Sequence, residues 1–600
     1  MGYTIEIING ALQNEVVVDE GDLILTVLQR EAVMIPALCG GRGTCKKCRV
    51  VVNQDGQRHV CLACLTVVEP GMIVEVAAEE PMIICDSSTA SLATLYPPDA
   101  AIEETPDSLG ETARPAAQRI GVAVDVGTTT VVVRLLDRYT GMVYGNAMDM
   151  NPQALFGADV LSRVDAAARG ELENMTALIQ NCITRLIHEV AESVNDRASG
   201  SAGGSGSAGG SGSAGASSSA GGSGSAGGSG SAGGSGSASG SGSGSASGSA
   251  SDDVEGVSDD QAFTRIDVEN DIWRIAIAGN TIMEHIVTGL SPVSIGVAPF
   301  TPLSLFGEVE TLEGLSAPAW LAPSVAGYVG GDITCGLLAA QVLQKDETLL
   351  FLDLGTNGEL ALFDGKRILC CATAAGPVFE GGGVHFGMSA LPGAINHLTW
   401  TEDKGLELTT IADIPARGIC GTGLVCAIAA FLKAGLIDDT GLIAGIDEVD
   451  PKYAHLLGRE VNDGQDQVVI YLTEDHRLFV TQGDVRCLQL AQAAVLAGIL
   501  TMLEEADMTL DAVKRVVIAG GFGAALDIES AAGVGLIPAA LKDRADAVGN
   551  TALEGAEATV LSSKARAELS TIVELCDYIE LSTSAIFNQH FIQCIYFESA

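Results

Sequence analysis

The feature that most constrains the fold is a strand–turn–strand pattern that occurs twice. An apolar run ends in Asp-Val-Gly-Thr-Thr at residues 125–129, and a second apolar run follows at once. The order returns 228 positions later as Asp-Leu-Gly-Thr-Asn at residues 353–357. Glycine permits such a tight turn, and the flanking runs have the length of strands. We therefore expect an α/β body made of two pseudo-repeated halves.

Both turns carry residue types that bind nucleotide phosphates. Backbone N–H and hydroxyl groups at a glycine turn cradle phosphate oxygens, and an aspartate holds Mg²⁺ through water. A third glycine turn near the C-terminus suits an adenosine pocket. This order resembles the acetate-kinase, sugar-kinase, chaperone and actin superfamily, which implies ATP with Mg²⁺ as ligand. We expect catalytic roles for Asp125 and Asp353, and nucleotide contacts from Gly127, Thr128, Thr129, Gly355, Thr356, Asn357, Gly520 and Gly521.

Five of the fifteen cysteines lie near the N-terminus. Cys39, Cys45 and Cys48 have C-x5-C-x2-C spacing in a glycine-rich loop, and Cys61 and Cys64 follow. A 2Fe–2S cluster needs four converging thiolates in a loop of small residues. Zinc knuckles instead use two short pairs, so the spacing favours the cluster over zinc. It resembles that of vertebrate-type 2Fe–2S ferredoxins, which implies a β-grasp fold and places the fourth ligand at Cys64, with Cys61 as the alternative.

Composition predicts the domain boundaries. Residues 1–78 form the ferredoxin-like domain, and residues 79–118, rich in Pro, Ser and acids, form a linker. Residues 119–600 alternate apolar strands with amphipathic helices, as expected for a two-lobed, actin/sugar-kinase-like (ribonuclease H-like) ATPase. Residues 198–251 contain only Gly, Ser and Ala and cannot form a core. We expect a spacer without chemistry that interrupts the ATPase domain.

Charge and hydropathy exclude several classes of function. The formal net charge of −44 disfavours nucleic acid as a partner, because phosphates would be repelled. A strand pattern follows Met1 where a signal peptide would have a basic and then an apolar segment. The longest apolar stretch, residues 490–503, is expected to be too short to span a bilayer and to form a buried helix. We therefore predict a cytoplasmic protein with no membrane span.

A ferredoxin domain ahead of an actin-type ATPase resembles the reductive activators of corrinoid proteins. The motifs that carry the resemblance are Asn151-Pro-Gln153, Gly157-Ala-Asp-Val160, Gly279-Asn280-Thr281, Gly376-Pro-Val-Phe-Glu380-Gly381, Thr481-Gln482-x-Asp484 and Gly520-Gly-Phe-Gly523. The resemblance implies ATP-dependent, one-electron reduction of cob(II)amide to cob(I)amide on a corrinoid protein of a methyltransferase system. It implies cluster ligation by Cys39, Cys45, Cys48 and Cys64, and a low-potential electron donor. Whether the chain is a monomer or a homodimer stays open. The short stretch between cluster and ATPase predicts that a middle domain of some members is missing.

Three alternatives remain. An activator of a radical dehydratase or aryl-CoA reductase would carry a 4Fe–4S cluster shared at a dimer interface, with cysteines inside the ATPase body. A kinase with a redox domain would need an acceptor hydroxyl and a catalytic aspartate in the cleft. An electron carrier would use the ATPase body as a scaffold without turnover. The N-terminal cysteine loop and the two intact aspartate hairpins favour the corrinoid activator.

Overall fold

The computed structural model describes most of the chain in detail. The described residues are 3–9, 12–19, 21–31, 33, 35, 48–54, 57–76, 90–99, 118–157, 159–201, 265–312, 314, 317–345, 347–355, 357–401, 405–462 and 465–597. One compact unit contains residues 1–194 and 266–600, and a second contains residues 195–265. Cys39, Cys45, Thr356 and most of the predicted linker and spacer lie outside the described residues.

The N-terminal sheet has five strands. Their order is Leu12–Val18, Tyr3–Asn9, Ile73–Val76, Arg49–Gln54 and Gln57–Leu62. Tyr3–Asn9 runs parallel to Ile73–Val76, and the other neighbouring pairs are antiparallel. The helix Ile24–Arg30 packs on this sheet against alternate strand residues such as Val50 and Val52. A mixed sheet with one packed helix confirms the predicted ferredoxin-like fold.

The first lobe of the larger body is a six-stranded sheet. Its order is Val309–Glu310, Ala319–Leu321, Ile272–Gly279, Ile120–Val126, Thr130–Asp137 and Val143–Met150. Ile120–Val126 pairs antiparallel with Thr130–Asp137 and parallel with Ile272–Gly279. The helices Leu172–Ser201 and Thr281–Thr288 contribute buried apolar residues to the same core as this sheet. The predicted strands of this lobe are therefore confirmed.

The second lobe repeats that arrangement. Its sheet order is Ala545–Ala547, Arg515–Ala519, Leu349–Leu354, Gly358–Phe363, Ile368–Thr373 and Cys576–Tyr578. Leu349–Leu354 pairs antiparallel with Gly358–Phe363 and parallel with Arg515–Ala519. Each lobe thus contains a hairpin flanked by a parallel strand, as the repeated sequence pattern predicts.

The remaining elements include some that the sequence did not predict. Two three-stranded sheets have the orders Gly405–Thr410, Ala394–Thr401, Gly418–Ile419 and Leu457–Asn462, Gln465–Tyr471, Phe479–Thr481. The other helices are Ala90–Leu95, Val160–Ala166, Val268–Asp271, Gly331–Ala339, Gly421–Lys433, Gln482–Glu505, Gly520–Gly523, Ile528–Gly533, Thr551–Leu561, Ser563–Leu575 and Ala585–Gln593. Ala90–Leu95 lies within the predicted linker.

The helix Gln482–Glu505 corrects one expectation. It has 24 residues, so by length and composition alone it could cross a membrane. The expectation that this apolar segment is too short to span a bilayer was therefore wrong. The helix begins before the apolar stretch 490–503, with a first segment that includes the polar residues Gln482, Asp484 and Arg486. Of the 18-residue segment of this helix that is apolar enough to cross a membrane, 78% is buried within the protein. Val485, Leu488, Val495 and Ile499 lie in the core of the second lobe, as expected for a buried helix.

Candidate functional site

The two predicted aspartates lie at the ends of corresponding strands in the two lobes. Asp125 is in Ile120–Val126 and Asp353 is in Leu349–Leu354. Desolvation raises the pKa of Asp125 to about 6, although a hydrogen bond from Asn550 opposes the shift. Desolvation and the nearby charge of Asp125 raise the pKa of Asp353 to about 7. The fold therefore brings both half-buried carboxyl groups into one site, where desolvation and like charges disfavour ionisation.

Two further carboxyl groups belong to this site and were missed by the sequence analysis. Asp332 lies in the first turn of the helix Gly331–Ala339, and desolvation with the charges of Asp353 and Asp125 raises its pKa to about 8. Glu359 lies opposite Asp353 in the hairpin register, and desolvation raises its pKa well above the usual value. The glycine pair that precedes Asp332 was the available sequence signal. A divalent cation would relieve the repulsion in such a cluster.

Asn550 holds Asp125 in place and was also missed. Its side-chain Nδ2 donates to Asp125 Oδ2 at 2.7 Å. Its Oδ1 accepts from the backbone N–H of Leu553 at 2.9 Å, so Asn550 also caps the helix Thr551–Leu561. Because both ends of the amide are bonded, Asn550 fixes one oxygen of the Asp125 carboxyl group. The pairing spans 425 residues of sequence, so only the tertiary fold reveals it.

The hairpin formed by Ile120–Val126 and Thr130–Asp137, which is the first phosphate hairpin predicted from the sequence, is held from two sides. Thr128 Oγ1 accepts from Asn280 Nδ2 at 3.1 Å. Thr129 Oγ1 donates to Glu380 Oε2 at 2.7 Å, which links the first hairpin to the turn Pro377–Glu380 that follows the second lobe's strand Ile368–Thr373. At Gly127, an added Cβ would lie 3.0 Å from the carbonyl oxygen of Thr130, so the turn leaves little space for a side chain. The structure thus places Gly127, Thr128 and Thr129 beside Asp125.

The second hairpin and the third glycine turn also lie beside one another. Gly355 N donates to Asn357 O at 3.0 Å and closes the second hairpin. Gly520 has a φ of +86°, and a Cβ there would lie 2.7 Å from Asp353 Oδ1. By contrast, a Cβ on Gly521 would meet no protein atom within 4 Å. Gly520 therefore lets the C-terminal turn approach Asp353, whereas Gly521 borders open space.

Two of the four predicted cluster ligands lie together. The sulfur atoms of Cys48 and Cys64 are 3.2 Å apart, and both side chains are buried. Cys61 lies in the strand Gln57–Leu62 and is half-exposed. The cysteine pair fits the donor chemistry of an iron–sulfur cluster, because thiolates are its preferred ligands. Across the part of the chain that the structure describes, no group of three or more His, Cys, Asp or Glu residues is arranged to hold a metal ion directly, and this includes the four carboxyl groups described above.

Three family models together match about four fifths of the chain. A model of the 2Fe-2S iron-sulfur cluster binding domain matches residues 7–69. The RACo middle region matches residues 120–199 and 253–345, and the C-terminal domain of RACo, the ASKHA domain, matches residues 347–600. The prediction that a middle domain is missing was therefore wrong. That region is present, and it contains the sheet and the first hairpin of the first lobe.

Known proteins give the same assignment. The chain is 26% identical to the corrinoid activation enzyme RamQ of Eubacterium limosum, with 96% of each chain covered. It is 28% identical to the [Co(II) methylated amine-specific corrinoid protein] reductase of Methanosarcina barkeri, over 45% of this chain and 50% of that one. A solved reductive activator for corrinoid, iron-sulfur protein matches with 26% identity and a TM-score of 0.61, covering 99% of this chain and 98% of the other. The chain belongs to the RACo family of reductive activators of corrinoid proteins.

Proposed function

We propose that this protein uses ATP to drive the one-electron reduction of Co(II) to Co(I) on a corrinoid protein of a methyltransferase system. The observation that carries the proposal is the presence, in one chain, of a buried thiol pair in a ferredoxin-like fold and two aspartate hairpins that meet at one site. The names of the relatives support the corrinoid protein as partner. A dehydratase activator is disfavoured, because the matched 2Fe–2S domain is N-terminal.

The nucleotide side of the proposal assigns roles to the hairpin residues. The N–H and hydroxyl groups at Gly127, Thr128 and Thr129, with those of the second hairpin, would bind the phosphates. Asp125 and Asp353 would hold Mg²⁺ through water, and Asp332 would orient the attacking water. Mg²⁺, when bound, supplies charge neutralisation at the transferred phosphoryl group. The raised pKa values support these roles, because the carboxyl cluster needs a cation to be fully ionised.

The redox side of the proposal assigns the cluster to Cys39, Cys45, Cys48 and Cys64. The 2Fe–2S cluster, when bound, carries one electron at a time. A separate low-potential donor would load that electron, and we propose a cytoplasmic location for the reaction. The contact between the Cys48 and Cys64 sulfurs supports Cys64 as the fourth ligand.

The pairing of a redox domain with an ATPase has a physical reason, which is that the electron transfer to Co(II) is unfavourable. Co(I) is a very strong reductant, whereas ferredoxin-type clusters have potentials near about −400 mV. A change of about 59 mV alters a one-electron equilibrium tenfold. Lobes that close on ATP and open after hydrolysis can bind and release the partner, and so draw the transfer forward. The bond between Thr129 and Glu380 is a contact that such a closure would make or break.

The test is anaerobic reduction of a purified Co(II) corrinoid protein, followed by its absorbance. Equal amounts of cluster-loaded protein are compared with and without Mg²⁺ and ATP, using one low-potential donor. We expect Co(I) to accumulate only with ATP, and Asp353→Ala to abolish the effect without loss of cluster. Asp511→Ala, at an exposed aspartate of the same domain, is the matched control. Equal reduction without ATP would favour the scaffold alternative, and phosphorylation of an added alcohol would favour the kinase.

A further inference from the structure

The turn Pro152–Leu155 lies between the first phosphate hairpin and the ferredoxin-like domain. It follows the strand Val143–Met150 and is capped by Asn151, whose Oδ1 accepts from Gln153 N at 3.0 Å. Both of these polar side chains are fully buried. Neither has a role in the nucleotide or cluster sites described above, although both belong to a motif that the sequence analysis singled out.

Asn151 connects the turn to the backbone of the hairpin. Its backbone N–H donates to the carbonyl oxygen of Thr129 at 2.8 Å, and its Nδ2 donates to the carbonyl oxygen of Gly127 at 2.8 Å. The side chain that caps the turn is therefore the same side chain that holds the hairpin. Buried and fully bonded amides have few alternative positions. A displacement of the hairpin must consequently move Asn151.

Arg163 makes a second, independent connection. This fully buried guanidinium group donates to the carbonyl oxygen of Thr128, and also to Gln153 Oε1 at 3.2 Å. A further bond to the carbonyl oxygen of Gly157, at 3.0 Å, holds its Nε. The backbone carbonyls of Gly127, Thr128 and Thr129 are thus each bonded either to Asn151, which caps the turn, or to Arg163. Closely packed interiors transmit such displacements, because no empty space absorbs them.

The far end of the turn contacts the ferredoxin-like domain. Gln29, in the helix Ile24–Arg30, donates its Nε2 to the carbonyl oxygen of Leu155. We propose that the turn Pro152–Leu155 is a positioning element: it transmits the position of the phosphate hairpin to Gln29, so that the bound nucleotide sets how firmly the ferredoxin-like domain is held. This inference rests on the proposed function, in that it requires ATP at the hairpin. It adds the route by which nucleotide would control the redox domain.

The test is hydrogen exchange of the helix Ile24–Arg30 in the full, cluster-loaded chain. Exchange is measured with Mg²⁺-ADP and with Mg²⁺ and a non-hydrolysable ATP analogue. We expect the two nucleotides to give different protection in the parent protein. Gln29→Ala should reduce this difference about threefold or more, since one neutral hydrogen bond changes a population by about two- to tenfold. ATP hydrolysis without a partner protein should be unchanged in the variant.

Gln54→Ala is the matched control, because this glutamine bonds to Glu69 within the same domain. It should keep the full nucleotide dependence. If the parent binds nucleotide but exchange at the helix is the same with both ligands, the inference is wrong while the proposed function stands. The inference is also wrong if Gln29→Ala keeps the full difference. If the parent binds no nucleotide, the proposed function itself is wrong and the inference falls with it.

Discussion

Replacing Asp353 by asparagine should stabilise the nucleotide-free protein while abolishing its response to Mg²⁺ and ATP. Asparagine has nearly the same shape, so the close approach of Gly520 is kept. It removes one charge from a site where desolvation and Asp125 raise the pKa of the carboxyl group to about 7. In the parent protein at pH 8, the unpaired charge opposes folding unless a cation is bound.

The magnitude follows from the pKa shift. A change from 3.8 to about 7 corresponds to about 4 kcal/mol, at about 1.4 kcal/mol per unit. Since the folded-state pKa is raised, the penalty is absent below about pH 4, grows as the pH rises towards 7 and is constant above it. Water and ions entering the cleft reduce the effect, so we expect Asp353→Asn to gain about 2–4 kcal/mol at pH 8. At pH 4.5 the gain should fall to about 1 kcal/mol or less.

The assay is thermal unfolding of the full chain at pH 8 and at pH 4.5, followed at the transition of the ATPase domain. This first measurement contains a metal chelator and no nucleotide. A gain of this size raises the unfolding temperature by several degrees at pH 8. Adding Mg²⁺ and a non-hydrolysable ATP analogue at 100 times the dissociation constant should stabilise the parent by about 2.7 kcal/mol and the variant not at all. Asp511→Asn, at an exposed site, should behave as the parent. A variant that is less stable than the parent at pH 8 would refute the reasoning, because Asp353 would then be in an attractive network.

Three further predictions address other parts of the chain. Cys64→Ser should abolish the 2Fe–2S cluster, measured as iron and acid-labile sulfide, whereas Cys61→Ser should keep it; the reverse result would exchange the ligand assignment. Replacing residues 198–251 by a short turn should leave cluster content and ATP binding unchanged, because the segment has no large apolar or charged side chain; a large loss of either would contradict this. Asp137→Asn should cost about 3 kcal/mol at neutral pH, since the buried carboxylate accepts bonds from Arg119 and Tyr144 that hold its pKa low against desolvation, and the loss should shrink below about pH 4. Denaturation at pH 7 and pH 3 measures it, and a loss independent of pH would be evidence against that network.

The local parts of this structure were predictable from the sequence. Apolar runs that end in Asp-x-Gly fix both the strands and the turns between them, so the hairpins that contain Asp125 and Asp353 follow from pattern alone. The repeat predicted that the hairpins would belong to corresponding halves. The two small sheets within residues 394–481 were missed, because strands such as Gly405–Thr410 and Leu457–Asn462 are partly polar. Such strands give only a weak periodic signal.

The long-range contacts at the site were missed for a different reason. Asn550 bonds to Asp125 across 425 residues, and Glu380 accepts from Thr129 across 251. Their roles depend on where the elements meet, which no local pattern encodes. Each residue also has an ordinary local explanation, as a helix cap or as part of a turn. Residues whose role follows from their own local motif, such as Asp125 and Asp353, could therefore be predicted from the sequence. Residues that act through contact with a distant segment could not.

Asp332 shows why the arrangement of the lobes matters for function. Its pKa is raised to about 8 by desolvation and by the charges of Asp353 and Asp125, which come from different lobes. Moving the two lobes apart would let water in and separate these charges, so both causes of the raised pKa would weaken. Closed lobes without a cation are therefore electrostatically unfavourable, whereas Mg²⁺ and ATP bound between closed lobes would compensate the charges. The acidic cluster would thus make lobe closure depend on the nucleotide, which is the property that an ATP-driven cycle of partner binding and release requires.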